Sequence, residues 1–254
     1  MRWKRRTVDS KGVRLAVRDS GSEGEPVVLV HGLGFGQRTW ARVVPRLSAG
    51  GLRVVTYDQR GHGASGTSDD YSPSAFCEEL AAVLGELGLE KPILVGHSLG
   101  ATIALEYAAA HGDCAGVVCV DGGLPAALPS ADWEAMRAEM RRPILRLAVW
   151  AMKVARLGTR LSFEELKRVV EVHEANITNL ESAYDRISCP VLMVMGSRAD
   201  PVPQGEEIRE AVIQGIHRLR EAHPVVRVEW LPCGHNVPLE RPLELAELIV
   251  RFAN

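Results

Sequence analysis

One serine in this chain sits where a serine can become a nucleophile. The stretch Ile93-Leu94-Val95-Gly96-His97-Ser98-Leu99-Gly100-Ala101 runs from strand-forming residues directly into an alanine-rich, helix-forming segment. Ser98 lies between two glycines, each two positions away. A strand that turns into a helix within about one residue brings its backbone segments close together, so a Cβ at position 96 or 100 would collide. The serine at the apex takes a strained conformation that lifts its hydroxyl clear of the sheet. The helix that begins there aims free N–H groups at whatever the hydroxyl attacks.

A serine hydroxyl needs a base to take its proton, and the base needs a group that orients it. Of the eight histidines, His235 is the candidate base. It lies in the loop Pro232-Cys233-Gly234-His235-Asn236-Val237-Pro238, just past the last strand-like run, where it can reach over the sheet edge. His97 diverges at the sharp turn and is expected to pack inside. His31 and His62 lie in glycine-rich loops and are expected to brace them. His111, His217 and His223 sit in or just after solvent-facing helices, and His173 is expected at the surface.

Two aspartates follow strands and could orient the base, Asp121 after Val117-Val118-Cys119-Val120 and Asp200 after Val191–Gly196. The order Ser98, Asp200, His235 and the expected nearness of the Asp200 strand to the histidine loop favour Asp200. Asp121 is then a turn residue or strut. The oxyanion needs backbone donors. The Leu99 N–H at the helix start is one. The Leu33 N–H is the other, on the loop His31-Gly32-Leu33-Gly34-Phe35-Gly36, whose glycines let the backbone approach a substrate closely.

These residues must be held by elements that end near one another. Strand-like runs at Val27–Val30, Arg53–Tyr57, Ile93–Val95, Val117–Val120, Val191–Met195 and Val225–Leu231 alternate with helical patterns. Continuous β-branched runs mark strands buried on both faces. Such alternation implies an α/β fold, a mostly parallel twisted sheet with helices on both faces. The first strand, Val13–Asp19, alternates apolar and polar residues as an exposed antiparallel strand does. Sites in such sheets lie beyond the carboxyl ends of the strands, and His31, Asp58, Ser98, Asp121, Asp200 and His235 all follow a strand. The alternation stops over 124–183, which reads as a small helical cap inserted into a core made of 1–123 and 184–254. Pro143 should break or kink the helical run Asp132–Leu157. Ser162-Phe163-Glu164-Glu165 has the capping-box pattern and opens a helix to about Ala175. Ser74 is expected to cap a helix running to Leu87.

The chain has 254 residues, 46% hydrophobic and 24% charged, with a net charge of −2. That size buries a full core without staples, and the charge gives no case for nucleic acid binding. Cys77, Cys114, Cys119, Cys189 and Cys233 are scattered with no C-x-x-C, which argues against a disulfide framework or a metal site and fits a reducing cytosol. The basic N-terminus (Arg2, Lys4, Arg5, Arg6) has no apolar stretch behind it and is not a secretory signal. No apolar run approaches membrane-spanning length.

With its motifs assembled, the chain resembles the α/β-hydrolase superfamily over nearly its whole length. The likeness rests on His31-Gly32 after a strand, Asp58-x-Arg60-Gly61-His62-Gly63-x-Ser65, Gly96-His97-Ser98-Leu99-Gly100, Asp200 after a late strand, and Gly234-His235. It implies the α/β-hydrolase fold and a serine hydrolase similar to small carboxylesterases and enol-lactone hydrolases. In such a protein Ser98 attacks, His235 is the base, Asp200 orients it and the Leu33 and Leu99 amides hold the oxyanion. Cap residues such as Trp133, Met136, Met140 and Trp150 would line a largely apolar pocket for a small-molecule ester or lactone, with no cofactor, in a monomer or homodimer. The superfamily also includes C–C hydrolases, thioesterases, acyltransferases and cyclases, and some ligand receptors share its fold. Ser98 stands where epoxide hydrolases and haloalkane dehalogenases carry an aspartate.

Overall fold

The aliphatic and β-branched runs form an eight-stranded sheet in the computed structural model, which describes residues 3–126, 133–155, 158–202 and 204–254. The strands are β1 (Lys4–Ser10), β2 (Val13–Asp19), β3 (Pro26–Val30), β4 (Arg53–Tyr57), β5 (Ile93–His97), β6 (Gly116–Val120), β7 (Val191–Gly196) and β8 (Arg227–Leu231). Their spatial order is β1-β2-β4-β3-β5-β6-β7-β8. β1, β2 and β4 pair antiparallel, and from β4 through β8 every pair is parallel. The central strands β5, β6 and β7 are buried at every position. The edge strand β8 carries Arg227 and Glu229 and is half open, and charges there discourage pairing with another chain.

The helices are α1 (Val44–Ala49), α2 (Pro73–Leu87), α3 (Leu99–His111), α4 (Trp133–Met140), α5 (Pro143–Val154), α6 (Phe163–Ala175), α7 (Ile177–Arg186), α8 (Gly205–Ala222), α9 (Val237–Glu240) and α10 (Pro242–Ala253). Alternate residues of a strand point to opposite faces, so β3 feeds two cores. Val28 and Val30 join Phe76, Leu80, Ile103, Leu105 and Ile216 beneath α2, α3 and α8. Val27 and Leu29 join Trp40, Leu47, Leu245 and Ile249 beneath α1 and α10.

Local chemistry sets the helix ends. Ser72 rather than Ser74 caps α2: its hydroxyl accepts the Ala75 N–H, and Pro73, with φ already helical, takes the first position. Pro143 breaks the expected long run by opening α5. Ser162 and Glu165 form the expected reciprocal box at the start of α6. Among the described residues, α4 to α7 all lie between β6 and β7, and none is a strand of the sheet. The chain between α5 and α6 returns onto the sheet's carboxyl edge. Gly63 N–H donates to Gly158 O (2.9 Å), Arg160 N–H to Gly61 O (2.7 Å) and Thr159 N–H to Gly34 O (3.2 Å). Among the described residues, no helix is long and apolar enough to cross a membrane.

The loop after β4 is anchored by a buried ion pair. Arg60 Nε lies 2.6 Å from Glu79 Oε1, and both side chains are almost fully buried. Its other nitrogens donate to the Asp70 and Ala75 carbonyls. Removing one partner of such a pair strands the other charge in a dry site. Glu79→Ala is therefore expected to cost about 3 kcal/mol, read as a lowered chemical-denaturation midpoint. Unchanged stability would show that the two carbonyls suffice for Arg60.

Candidate active site

The elbow is built by close approach. A Cβ on Gly96 would stand 2.1 Å from the Gly100 carbonyl oxygen, and one on Gly100 would stand 2.3 Å from that of Val30. No side chain fits at either position, so β5 can pass into α3 without an intervening loop. Ser98, at the turn, has φ +52° and ψ −119°, a conformation non-glycine residues rarely hold. The turn is pinned on both sides, Ser98 N–H donating to Val120 O (2.9 Å) and Ala101 N–H to Ser98 O (2.9 Å).

His97 turns inward, as expected. It is fully buried, and its Nε2 lies 2.9 Å from the carbonyl oxygen of His235. The two rings tilt against each other with centroids 5.0 Å apart. Burial pushes the His97 pKa down to about 3, so it is a neutral strut that donates to the His235 backbone.

The imidazole of His235 faces an aspartate, and it is not the one favoured by sequence. Asp121 Oδ2 stands 2.6 Å from His235 Nδ1. A carboxylate only accepts, so Nδ1 carries the proton and Nε2 is left free to act as base. Asp121 Oδ1 meanwhile accepts the Gly196 N–H at 2.7 Å, which fixes the carboxylate plane. Asp200, the expected partner, instead accepts the backbone N–H of His235 at 3.0 Å. The correction has a local cause. Asp121 follows β6 at once with φ +44°, a turn that swings its carboxylate over the end of the neighbouring β7. The next residue, Gly122, would put a Cβ 2.4 Å from Ser98 O, so the chain after Asp121 lies flush against the elbow. Asp200 comes four residues beyond the end of β7 and meets the histidine loop at its backbone.

Burial acts to lower the His235 pKa. The bond and charge of Asp121, with Asp200 behind, outweigh it and hold the imidazole above its ordinary 6.5.

Ser98, His235, Asp121, Asp200, Leu33 and Leu99 all line one cavity of about 300 Å³. The Leu99 N–H opens α3 and has no acceptor within the helix. Gly32 lies beneath, where an added Cβ would meet His97 Nδ1 at 3.0 Å and Ser98 Cβ at 3.1 Å. The loop turns tightly there through Phe35 N–H to Gly32 O (3.2 Å). His31 and His62 brace this loop from below, as expected. His31 Nδ1 lies 2.9 Å from Gly32 O and its Nε2 accepts the Gln59 N–H at 3.0 Å. His62 Nδ1 lies 2.7 Å from Arg60 O. Burial lowers both pKa values, that of His62 to about 3.

The remaining walls differ from the sequence expectation. Val169, Val170, His173 and Glu174 of α6, Leu180 of α7 and Ile208 and Val212 of α8 line the cavity. Trp133 packs edge-on against Phe163, Met140 faces a separate hollow with Arg137 and Arg141, and Trp150 is 61% exposed. None of these three is among the described lining residues. The side chain of Met136 lies outside the described residues. α5 presents Leu147, Trp150 and Val154 outward, so these three do not supply the wall. His173, expected at the surface, is in the wall. Its only sequence signal is its place one turn after Val169 and Val170 on the apolar stripe of α6.

A family model for the "Alpha/beta hydrolase family" matches residues 27–248. The chain belongs to the α/β-hydrolase family. Among curated relatives, epoxide hydrolase B of Mycobacterium tuberculosis is 38% identical over 120 residues, a match covering 44% of this chain and 34% of that one. The aligned part is thus about a third of that relative's length. Among solved structures, a carboxylesterase of the archaeon Nitrososphaera gargenis superposes with a TM-score of 0.76 at 20% identity, covering 98% of this chain and 97% of the other. The bromoperoxidase of Bacillus anthracis superposes with a TM-score of 0.72 at 21% identity, covering 98% and 99%. These two likenesses establish that the family's fold spans essentially the whole chain.

Proposed function

We propose that this α/β-hydrolase is a serine hydrolase that cleaves a small to medium, largely apolar ester or lactone through an acyl-enzyme. The observation that carries the reading is the imidazole of His235, held by Asp121 at Nδ1 and lining the same cavity as Ser98. Nε2 takes the Ser98 proton as Oγ attacks the carbonyl. The Leu33 and Leu99 amides receive the developing oxyanion. Nε2 then protonates the leaving alcohol, and a water deprotonated by the same nitrogen releases the acid. Asp121 fixes the tautomer and stabilises the imidazolium. The insertion 124–183 serves as a cap whose α6 and α7 close the cavity. Free thiols at all five cysteines support a cytosolic location, and the chain acts as a monomer or homodimer.

The likeness to epoxide hydrolase B does not extend to its chemistry in this reading. A serine alkoxide opening an epoxide would form an ether, which has no carbonyl for water to attack, and the enzyme would stop after one turnover. An ester panel (p-nitrophenyl acetate, butyrate and a δ-lactone), run beside styrene oxide and a fluorophosphonate probe, tests the proposal. Ester or lactone turnover and a phosphonyl adduct on the Ser98 peptide are expected. Epoxide turnover with no adduct would overturn it.

The pH dependence follows from the charge around His235. The base works only when neutral, and its pKa is raised. The acid limb of kcat/KM is therefore expected above pH 6.5, the ordinary imidazole value, activity falling as pH drops through it. A limb below 6.5 would show that the carboxylates do not act on this imidazole.

A further inference from the structure

The cavity wall carries Val169, Val170 and Leu180 along α6 and α7, and among them one uncharged polar side chain that bears on what enters it. His173 lines the cavity, and its two ring nitrogens are shielded from solvent with no hydrogen-bond partner among the described residues. The other shielded histidines, His31, His62 and His97, each use a ring nitrogen to hold the backbone. Among the described residues the His173 ring holds no backbone group: it tilts against Phe76 at 5.7 Å between centroids, with Val169 and Val170 one turn away on the same wall. A buried polar group left unpaired costs stability, and a phenylalanine or leucine would fill the same space without that cost.

Resting on the serine-hydrolase reading, we propose that His173 is a specificity-determining residue, selecting substrates whose chain carries a neutral hydrogen-bonding group, a hydroxyl or a carboxamide. Burial alone pushes its pKa down to about 4, so at neutral pH the ring is uncharged and offers one N–H donor and one acceptor nitrogen. A hydroxyl or a primary amide offers the complementary pair. A carboxylate offers acceptors only, and Glu174, the next residue and also on the cavity wall, adds a like charge. The guanidinium of Arg209, which also lines the cavity, is held on α8 by its Nε donating to Ser197 O and by its plane lying over Trp230, while its Nη1, like the His173 ring nitrogens, is shielded with no hydrogen-bond partner among the described residues. A site built to hydrogen-bond a substrate discriminates more sharply than an apolar wall does, because the analogue without the group leaves the site unpaired.

The test compares p-nitrophenyl hexanoate and octanoate with their ω-hydroxy counterparts, and hexyl acetate with 6-hydroxyhexyl acetate, so that both sides of the ester are covered. In at least one pair, kcat/KM is expected to favour the hydroxylated ester by about tenfold, mainly through KM. His173→Phe, close in shape, should abolish that preference, bringing kcat/KM for the hydroxylated ester to that of its plain partner. His173→Gln, which retains a donor and an acceptor, should restore part of it. No preference in any pair, or an equal loss on both members of each pair in His173→Phe, would overturn the proposal and leave His173 as a packing residue against Phe76. Calorimetric titration with octan-2-one and 8-hydroxyoctan-2-one asks the same question without turnover. If no ester is cleaved but the hydroxyketone binds more tightly and loses that advantage in His173→Phe, the hydrolase reading fails while His173 keeps its role. Equal binding overturns the role of His173 whatever the reaction.

Discussion

Ser98→Ala is expected to lower kcat for p-nitrophenyl acetate by about 10⁶-fold and to abolish fluorophosphonate labelling. The size follows from what the substitution removes. In the proposed mechanism Oγ forms the acyl bond, and without it His235 has no proton to take. What survives is whatever the oxyanion donors and the shaped cavity provide, about 10³-fold over water in sites of this kind. The variant should fold. Ser98 makes its backbone bonds to Val120 and Ala101 through main-chain atoms, and the strained φ of +52° is imposed by the packed glycines around it, so alanine inherits the same geometry. His235→Ala should cost nearly as much, and the double variant little more, because the two act as one unit. Retained turnover or labelling in Ser98→Ala, with the thermal midpoint unchanged, would move the nucleophile elsewhere.

Most of the fold was legible because its signals are local and periodic. The β-branched runs of β3 to β7 and the glycine spacing around Ser98 act within a few residues, and they define strands and elbow without any long-range information. The capping box at Ser162 and the break at Pro143 are equally local. The acid was less legible, because Asp121 and Asp200 both follow strands and differ only in how their turns fold back. That depends on a left-handed backbone at Asp121 and on Gly122 lying flush against Ser98, contacts that no neighbouring residue encodes. The cavity wall was least legible. Large apolar residues on α4 and α5 carry the composition of a pocket, yet Trp150 is exposed and Trp133 packs on Phe163. The described wall includes instead the plainer stripe Val169, Val170, His173 on α6. The chain leading into α6 is tied down by the 158–160 backbone pairing with Gly34, Gly61 and Gly63, contacts between residues far apart in sequence.

The two aspartates near His235 give the second large effect, and it separates them. Asp121→Asn is expected to lower kcat by about 10⁴-fold at neutral pH, whereas Asp200→Asn should cost no more than about tenfold. The asymmetry comes from hydrogen-bond polarity. Asp121 Oδ1 accepts the Gly196 N–H at 2.7 Å and Oδ2 faces His235 Nδ1 at 2.6 Å. An asparagine there must keep its carbonyl toward Gly196, because that N–H can only donate. Its NH₂ then points at Nδ1 and forces that nitrogen to accept. The proton moves to Nε2, the atom that must take it from Ser98, and the base is blocked. Among the described residues the Asp200 carboxylate accepts the backbone N–H of His235, and an asparagine carbonyl can accept that bond equally well. What Asp200→Asn removes is a charge that helps raise the imidazole pKa, so the acid limb of kcat/KM should move to lower pH while kcat on the plateau changes little. A mild Asp121→Asn beside a crippled Asp200→Asn would reverse the assignment and place the orienting acid after β7. A loss in the double variant larger than the two single losses combined would show Asp200 taking over when Asp121 is gone, since two carboxylates around one imidazole can substitute for each other only if the histidine loop can turn from one to the other.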